Sequence, residues 1–123
     1  MPTEPNPITL FQVVHRAVEV CDPGGDDTDL ADLLVRFEDA DEPVLAILDG
    51  LELRMAEAVG ALDPDSEIPS LQMAAAVATY LGHRRDELED DPEQILRLAA
   101  RAEFDGHPPA HVENWLEEQG VSV

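Results

Sequence analysis

The sequence predicts an all-α fold, a compact bundle of about six helices. Apolar residues recur at three- and four-residue spacing along most of the chain, and no stretch alternates as a half-buried strand does. Clusters of Pro, Gly and Asp divide the periodic stretches into six. With 123 residues, 44% of them hydrophobic, one core is affordable, since a chain of this size buries roughly two thirds of its unfolded surface. Residues 1–123 therefore read as a single helical domain, with residues 1–6 as a flexible N-terminus.

The first helix spans Ile8 to Cys21, with Leu10, Val13, Val14, Ala17, Val18 and Cys21 on one side and Gln12, His15, Arg16 and Glu19 on the other. Asp22-Pro23-Gly24-Gly25-Asp26-Asp27 breaks it. Asp27 or Thr28 then caps a second helix built on Leu30, Leu33, Leu34 and Phe37 and ending near Ala40. Asp41 or Glu42 followed by Pro43 marks the start of a third, because proline suits a first helical turn; its stripe is Val44, Leu48, Leu51, Met55, Ala58 and Leu62.

After a loop over residues 63–69, Ser70 is the expected cap of the most apolar helix, Leu71 to about Glu87. Its run Met73-Ala74-Ala75-Ala76-Val77-Ala78 is apolar nearly all round, which predicts a central helix touched on several sides. Asp91-Pro92-Glu93 opens a fifth helix with Ile95, Leu98, Ala99 and Ala102 inward. A turn at Asp105 to Pro109 precedes a sixth, carrying Val112, Trp115, Leu116 and Gln119 and stopped by Gly120.

The two halves suggest a duplication, with repeats over residues 8–62 and 71–121. His15-Arg16 and Glu19 fall over His83-Arg84 and Glu87, and Asp22-Pro23 over Asp91-Pro92. Each half would be a three-helix unit.

Charge bounds the function. The chain carries 28 Asp and Glu against 7 Arg and no Lys, a formal net charge of −21. Phosphate backbones and anionic lipids both recruit basic surfaces, so direct nucleic-acid or membrane binding is not expected. The hydrophobic content excludes a disordered acidic tail. Self-repulsion of this size is screened where the Debye length falls to about 3 Å near 1 M salt, which points to a salt-accumulating cytoplasm. The plainer alternative is an acidic protein of a lysine-poor, high-GC mesophile. The first ten residues lack the basic and apolar regions of a secretory signal, and no apolar run approaches the roughly 20 residues of a membrane span. One cysteine, Cys21, excludes an internal disulfide and fits a reducing compartment.

Candidate chemistry is sparse. His15 with Glu19, and His83 with Glu87, place an imidazole and a carboxylate four residues apart, a spacing that suits metal binding or a proton relay and equally a solvated surface pair. His107 and His111 share that spacing, but Pro108 and Pro109 keep His107 off the helix. Asp63, Asp65 and Glu67 mimic a calcium loop that lacks its turn glycine and its bidentate glutamate. The fifth and sixth helices resemble a stretched helix-turn-helix, with Glu113, Glu117 and Glu118 where DNA would lie. His83-Arg84-Arg85 and Trp115 are the candidate interaction residues, the arginines serving either a partner or their own helix C-terminus.

No phosphate loop or nucleophile elbow is present, and Cys21 lies on the core stripe, so neither catalysis nor a cofactor is expected. The expected function is a small acidic protein-interaction or regulatory module, with a protein partner that includes a second copy of the chain among the candidates. A metal-binding helical protein, a nucleic-acid mimic and a divergent helix-turn-helix regulator are the alternatives.

Overall fold

The computed structural model describes residues 8–65 and 67–121. Among them are six α-helices, two short 3-10 turns and no strand, the bundle that the periodicity predicts. The expected flexible N-terminus, residues 1–6, lies outside the described residues.

Helix α1 (Leu10–Cys21) begins two residues later than its apolar pattern, because Thr9 forms a capping box: its Oγ1 accepts the Gln12 amide at 3.2 Å and its amide donates to Gln12 Oε1 at 2.9 Å. The predicted stripe is buried apart from half-buried Val18, and Val20 joins it. Arg16, expected on the solvated side, is half-buried and donates Nε to the Leu88 carbonyl at 2.7 Å and Nη2 to the Asp90 carbonyl at 3.1 Å.

The Asp22 carboxylate accepts the amides of Asp26 and Asp27 at 3.1 and 2.9 Å, and Asp27 in turn caps α2 (Thr28–Val35). The expected extension of this helix to Ala40 does not form. The chain passes through tight turns and then crosses the start of α1, where the carbonyls of Glu42 and Ala40 accept the Leu10 and Phe11 amides, each at 3.0 Å. Those first-turn amides have no partner within their own helix, so bonding them holds residues 40–43 against the start of α1. Pro43 is accordingly extended (φ −60°, ψ 130°) and does not begin a helix. A 3-10 turn over Val44–Ile47 follows, and α3 (Leu48–Leu62) starts at Leu48.

Asp63 then repeats the loop device: its carboxylate, in a residue only 5% exposed, accepts the Glu67 and Ile68 amides at 3.0 and 2.8 Å. Helix α4 (Pro69–His83) opens on Pro69 in its first turn, so Ser70 is not its cap but a buried first-turn residue. It ends at His83, short of the expected Glu87. Arg84 leaves helical geometry (φ −136°, ψ 63°), and a 3-10 turn covers Arg85–Glu87.

Helix α4 is the central element, packed against α1, α2 and α3 and against the later α5 (Pro92–Phe104) and α6 (Ala110–Glu118). Its small residues permit this. A Cβ on Gly82 would collide with the Leu51 side chain of α3, so only glycine admits that approach. On α5 the buried set is Ile95, Leu96, Ala99 and Ala100, while Ala102 is exposed and Leu98 half-buried. The inward face is rotated from the predicted stripe because α5 packs on α1 as well as α4. Gly120 (φ +80°) ends α6 as expected: its own amide and that of Val121 bond back to the Glu117 and Leu116 carbonyls at 3.0 and 2.9 Å, burying Val121. Gln119, placed inward from the sequence, is exposed. Asp22-Pro23 follows a helix end, whereas Asp91-Pro92 opens one with no side-chain cap, so these two pairs differ in backbone role.

Candidate functional site

Helices α3 and α5 flank α4 and leave a groove along its outer side. One part, about 340 Å³, is floored by Gln72, Ala75, Ala76 and Thr79 of α4, walled by Met55, Ala56, Val59 and Gly60 of α3, and closed by Phe104 of α5. It continues past Ala76 and Thr79 into a second part of about 280 Å³ that ends at Tyr80, His83 and Arg84. Both parts share two carboxylates, Glu52 from α3 and Glu103 from α5.

The groove exists because small residues occupy its floor and wall. Ala56 and Gly60 lie one turn apart on α3, and Ala75, Ala76 and Thr79 face them from α4. Leu53, 64% exposed, lies one turn before Ala56 on α3.

Glu52 and Glu103 have no arginine within ion-pair distance among the described residues. Partial burial, and then the charge of Glu52, push the Glu103 carboxyl above the ordinary glutamate range. At the far end, Tyr80 donates its hydroxyl to both Glu87 oxygens at 2.9 and 3.0 Å. Burial, then that bond, push the phenol up to about 12. The Arg84 guanidinium lies 5.4 Å from the Tyr80 ring centroid, with Nε 3.9 Å from Glu87 Oε2. The wall at this end is therefore Tyr80, held from behind by Glu87, with the exposed side chains of Arg84 and His83 beside it.

This geometry separates the residues that the sequence grouped. His15 Nδ1 and Glu19 Oε1 are 3.4 Å apart, but with side chains 47% and 52% exposed they form a solvated pair. His83 and Glu87 do not share a helix face, because α4 ends between them and Glu87 is engaged by Tyr80. His107 lies exposed in the turn, its amide donating to the Phe104 carbonyl at 2.8 Å. His111 sits half-buried on α6 with Nε2 3.1 Å from Gln72 Oε1. No group of three His, Cys, Asp or Glu capable of holding a metal occurs among the described residues.

Arg84 and His83 line the groove, whereas Arg85 turns back to the Gly82 carbonyl at 2.6 Å and closes the C-terminus of α4. Trp115 belongs to neither place; it is half-buried beside Cys21 and Asp22. The Cys21 thiol is buried and its pKa raised, mainly by desolvation and then by Asp27 and Asp22, so it is not a nucleophile at neutral pH.

The sequence does not pair Glu52 with Glu103; Glu103 stands out there only, with Asp105, as a possible third zinc ligand beside His107 and His111. Lying 51 positions apart in a chain with 28 acidic residues, Glu52 and Glu103 carry no spacing signal; only the packing of α3 and α5 on α4 brings them to one groove.

Together these features define an acidic six-helix bundle with a groove over its central helix. No protein-family model matches the chain, and comparison with the curated proteins and with the solved structures gave no match.

Proposed function

We propose that this protein is an acidic helical docking module whose α3–α4–α5 groove receives a basic, amphipathic helix of a partner protein. The observation that carries this reading is the pair Glu52 and Glu103, which border a floor of small side chains with no arginine in ion-pair distance among the described residues. A Lys or Arg side chain entering between them supplies the missing charge, and the apolar side of the same helix covers Ala56, Ala75 and Phe104. A second copy of this chain is the poorer occupant, because it brings the same net charge of −21.

The same reading places the protein in the cytoplasm, and in a salt-rich one. Supporting it are the absence, among the described residues, of any helix long and apolar enough to cross a membrane, the buried free Cys21, and the scarcity of basic residues. At molar salt long-range attraction is screened, so recognition has to rest on direct contacts inside a partly desolvated groove.

The test is titration with a synthetic helical peptide carrying Leu and Lys on adjacent faces, beside an isosteric peptide with Glu for Lys, read by amide chemical shifts. The basic peptide is expected to perturb α3, α4 and the end of α5, and to bind about tenfold more weakly to Glu52→Gln/Glu103→Gln. Equal binding of both peptides, or shifts confined to another face, would overturn the reading.

A further inference from the structure

A second pocket, of about 500 Å³, lies on a different face, between α1 and the turn after α4. We infer that it takes a small organic monocarboxylate with an apolar body. Its lining brings together Arg16 and Arg85, which come from distant parts of the chain, with Phe11 and Leu88.

The two arginines are unusual in this molecule. Acidic residues outnumber arginines 28 to 7, yet neither Arg16 nor Arg85 has a carboxylate within 4.0 Å among the described residues. Arg36 and Arg101 also lack one, but they are exposed and solvated, whereas Arg16 and Arg85 are half-buried. Both are held by backbone carbonyls: Arg16 through Nε and Nη2 to Leu88 and Asp90, Arg85 through Nη1 to Gly82. A carbonyl fixes a guanidinium without neutralising it.

Each side chain also keeps donors in reserve. Of the five N–H groups of a guanidinium, those on Nη1 of Arg16 and on Nε and Nη2 of Arg85 have no protein partner in these bonds. Two guanidiniums held by backbone carbonyls, with no carboxylate in direct contact and beside a ring and a leucine, fit a carboxylate on an apolar body, which gains charge-assisted hydrogen bonds at one end and apolar contact at the other.

The rim limits the charge of the ligand. Glu19 and Glu89 also line the pocket, so two carboxylates stand against two guanidiniums. A single negative charge is accommodated by direct contact with the arginines. A phosphate dianion meets added repulsion from the rim, and a neutral ligand leaves the donors unmatched.

Phenylacetate, phenyl phosphate and benzyl alcohol, each titrated at millimolar concentration into the full chain, provide the test, followed by amide chemical shifts. Phenylacetate is expected to give saturable shifts confined to α1 and residues 85–89, and to bind better than either of the other two. Arg85→Gln should weaken it about tenfold. Because Arg85 also closes α4, Glu89→Gln is the companion variant: removing a rim charge should tighten phenylacetate binding severalfold, a gain that misfolding does not produce. Absence of saturable shifts, tighter binding of phenyl phosphate or benzyl alcohol, or indifference to both substitutions would overturn the inference.

Discussion

Asp22 and Asp63 close two different helices in the same way. Both leave the helix with nearly identical backbone angles, φ −143° and ψ 69° for Asp22 against φ −142° and ψ 70° for Asp63. Each donates its amide to the carbonyl four residues back, at 2.8 and 2.7 Å. Each then folds its carboxylate over the amides four and five residues ahead. Each precedes a proline, Pro23 or Pro64. The Asp63 carboxylate, part of the loop that mimics a calcium site in the sequence, is thus engaged by its own backbone.

The two aspartates should differ in importance. Asp63 is buried, so Asp63→Ala strands two amides and should cost about 1–3 kcal/mol. Asp22 is half-buried, and Asp22→Ala should cost on the order of 1 kcal/mol. Urea unfolding at constant m-value measures both, and equal losses would contradict the burial argument.

Gly82→Ala should destabilise the bundle by roughly 1–3 kcal/mol, because the added methyl meets Leu51 in a packed interface. Gly60→Ala, with open space around its Cβ position, serves as the control and should be neutral or stabilising. Thermal unfolding of both variants separates packing from backbone effects.

Two carboxylates should pull stability in opposite directions with pH. Glu42 is lowered by its own backbone amide and by Arg54, whose Nη2 lies 2.9 Å away; its contribution is present above the unfolded pKa and lost as pH falls through the folded one. Glu103 is raised, so it favours the fold only while protonated, and that contribution is lost as pH rises through its folded pKa. At neutral pH, Glu103→Gln should therefore stabilise the protein, by on the order of a few tenths of a kcal/mol at this exposed position, and Arg54→Gln should destabilise it by a similar amount. Denaturant midpoints at neutral and acidic pH check the signs.

Salt should act on the whole molecule. If the charge of −21 reflects a salt-rich environment, the unfolding midpoint should climb steadily from low to molar KCl. A flat profile would remove the halophilic reading and leave the docking groove untouched.

How much of this was legible in the sequence depends on the range of the forces involved. The six helices, the breaker loops and the central role of α4 follow from apolar spacing and turn chemistry, which are local. The helix ends that shifted did so for non-local reasons. Pro43 has the right chemistry for a helix start, but the first-turn amides of Leu10 and Phe11 draw the carbonyls of Ala40 and Glu42 across the start of α1 and leave Pro43 extended. The predicted pairing of His83 with Glu87 fails because α4 stops at His83, where Arg85 reaches back to Gly82. Thr9 with Gln12 is a signal that could have been read, since the capping box is a sequence pattern. Glu52 and Glu103 could not, because nothing in either helix alone says which solvated carboxylates will face one another.

The crossing of residues 40–44 over the start of α1 also sets how the molecule opens. A helix terminus usually frays by itself, one turn at a time, and its first amides exchange with solvent almost freely. Here the amides of Leu10 and Phe11 are closed by carbonyls some thirty residues away, and the Val44 amide is closed in return by Ile8. Because each segment is closed by the other, the first turn of α1 and the connection from α2 to α3 should open as one cooperative unit, with the Leu10, Phe11 and Val44 amides exchanging at a common rate.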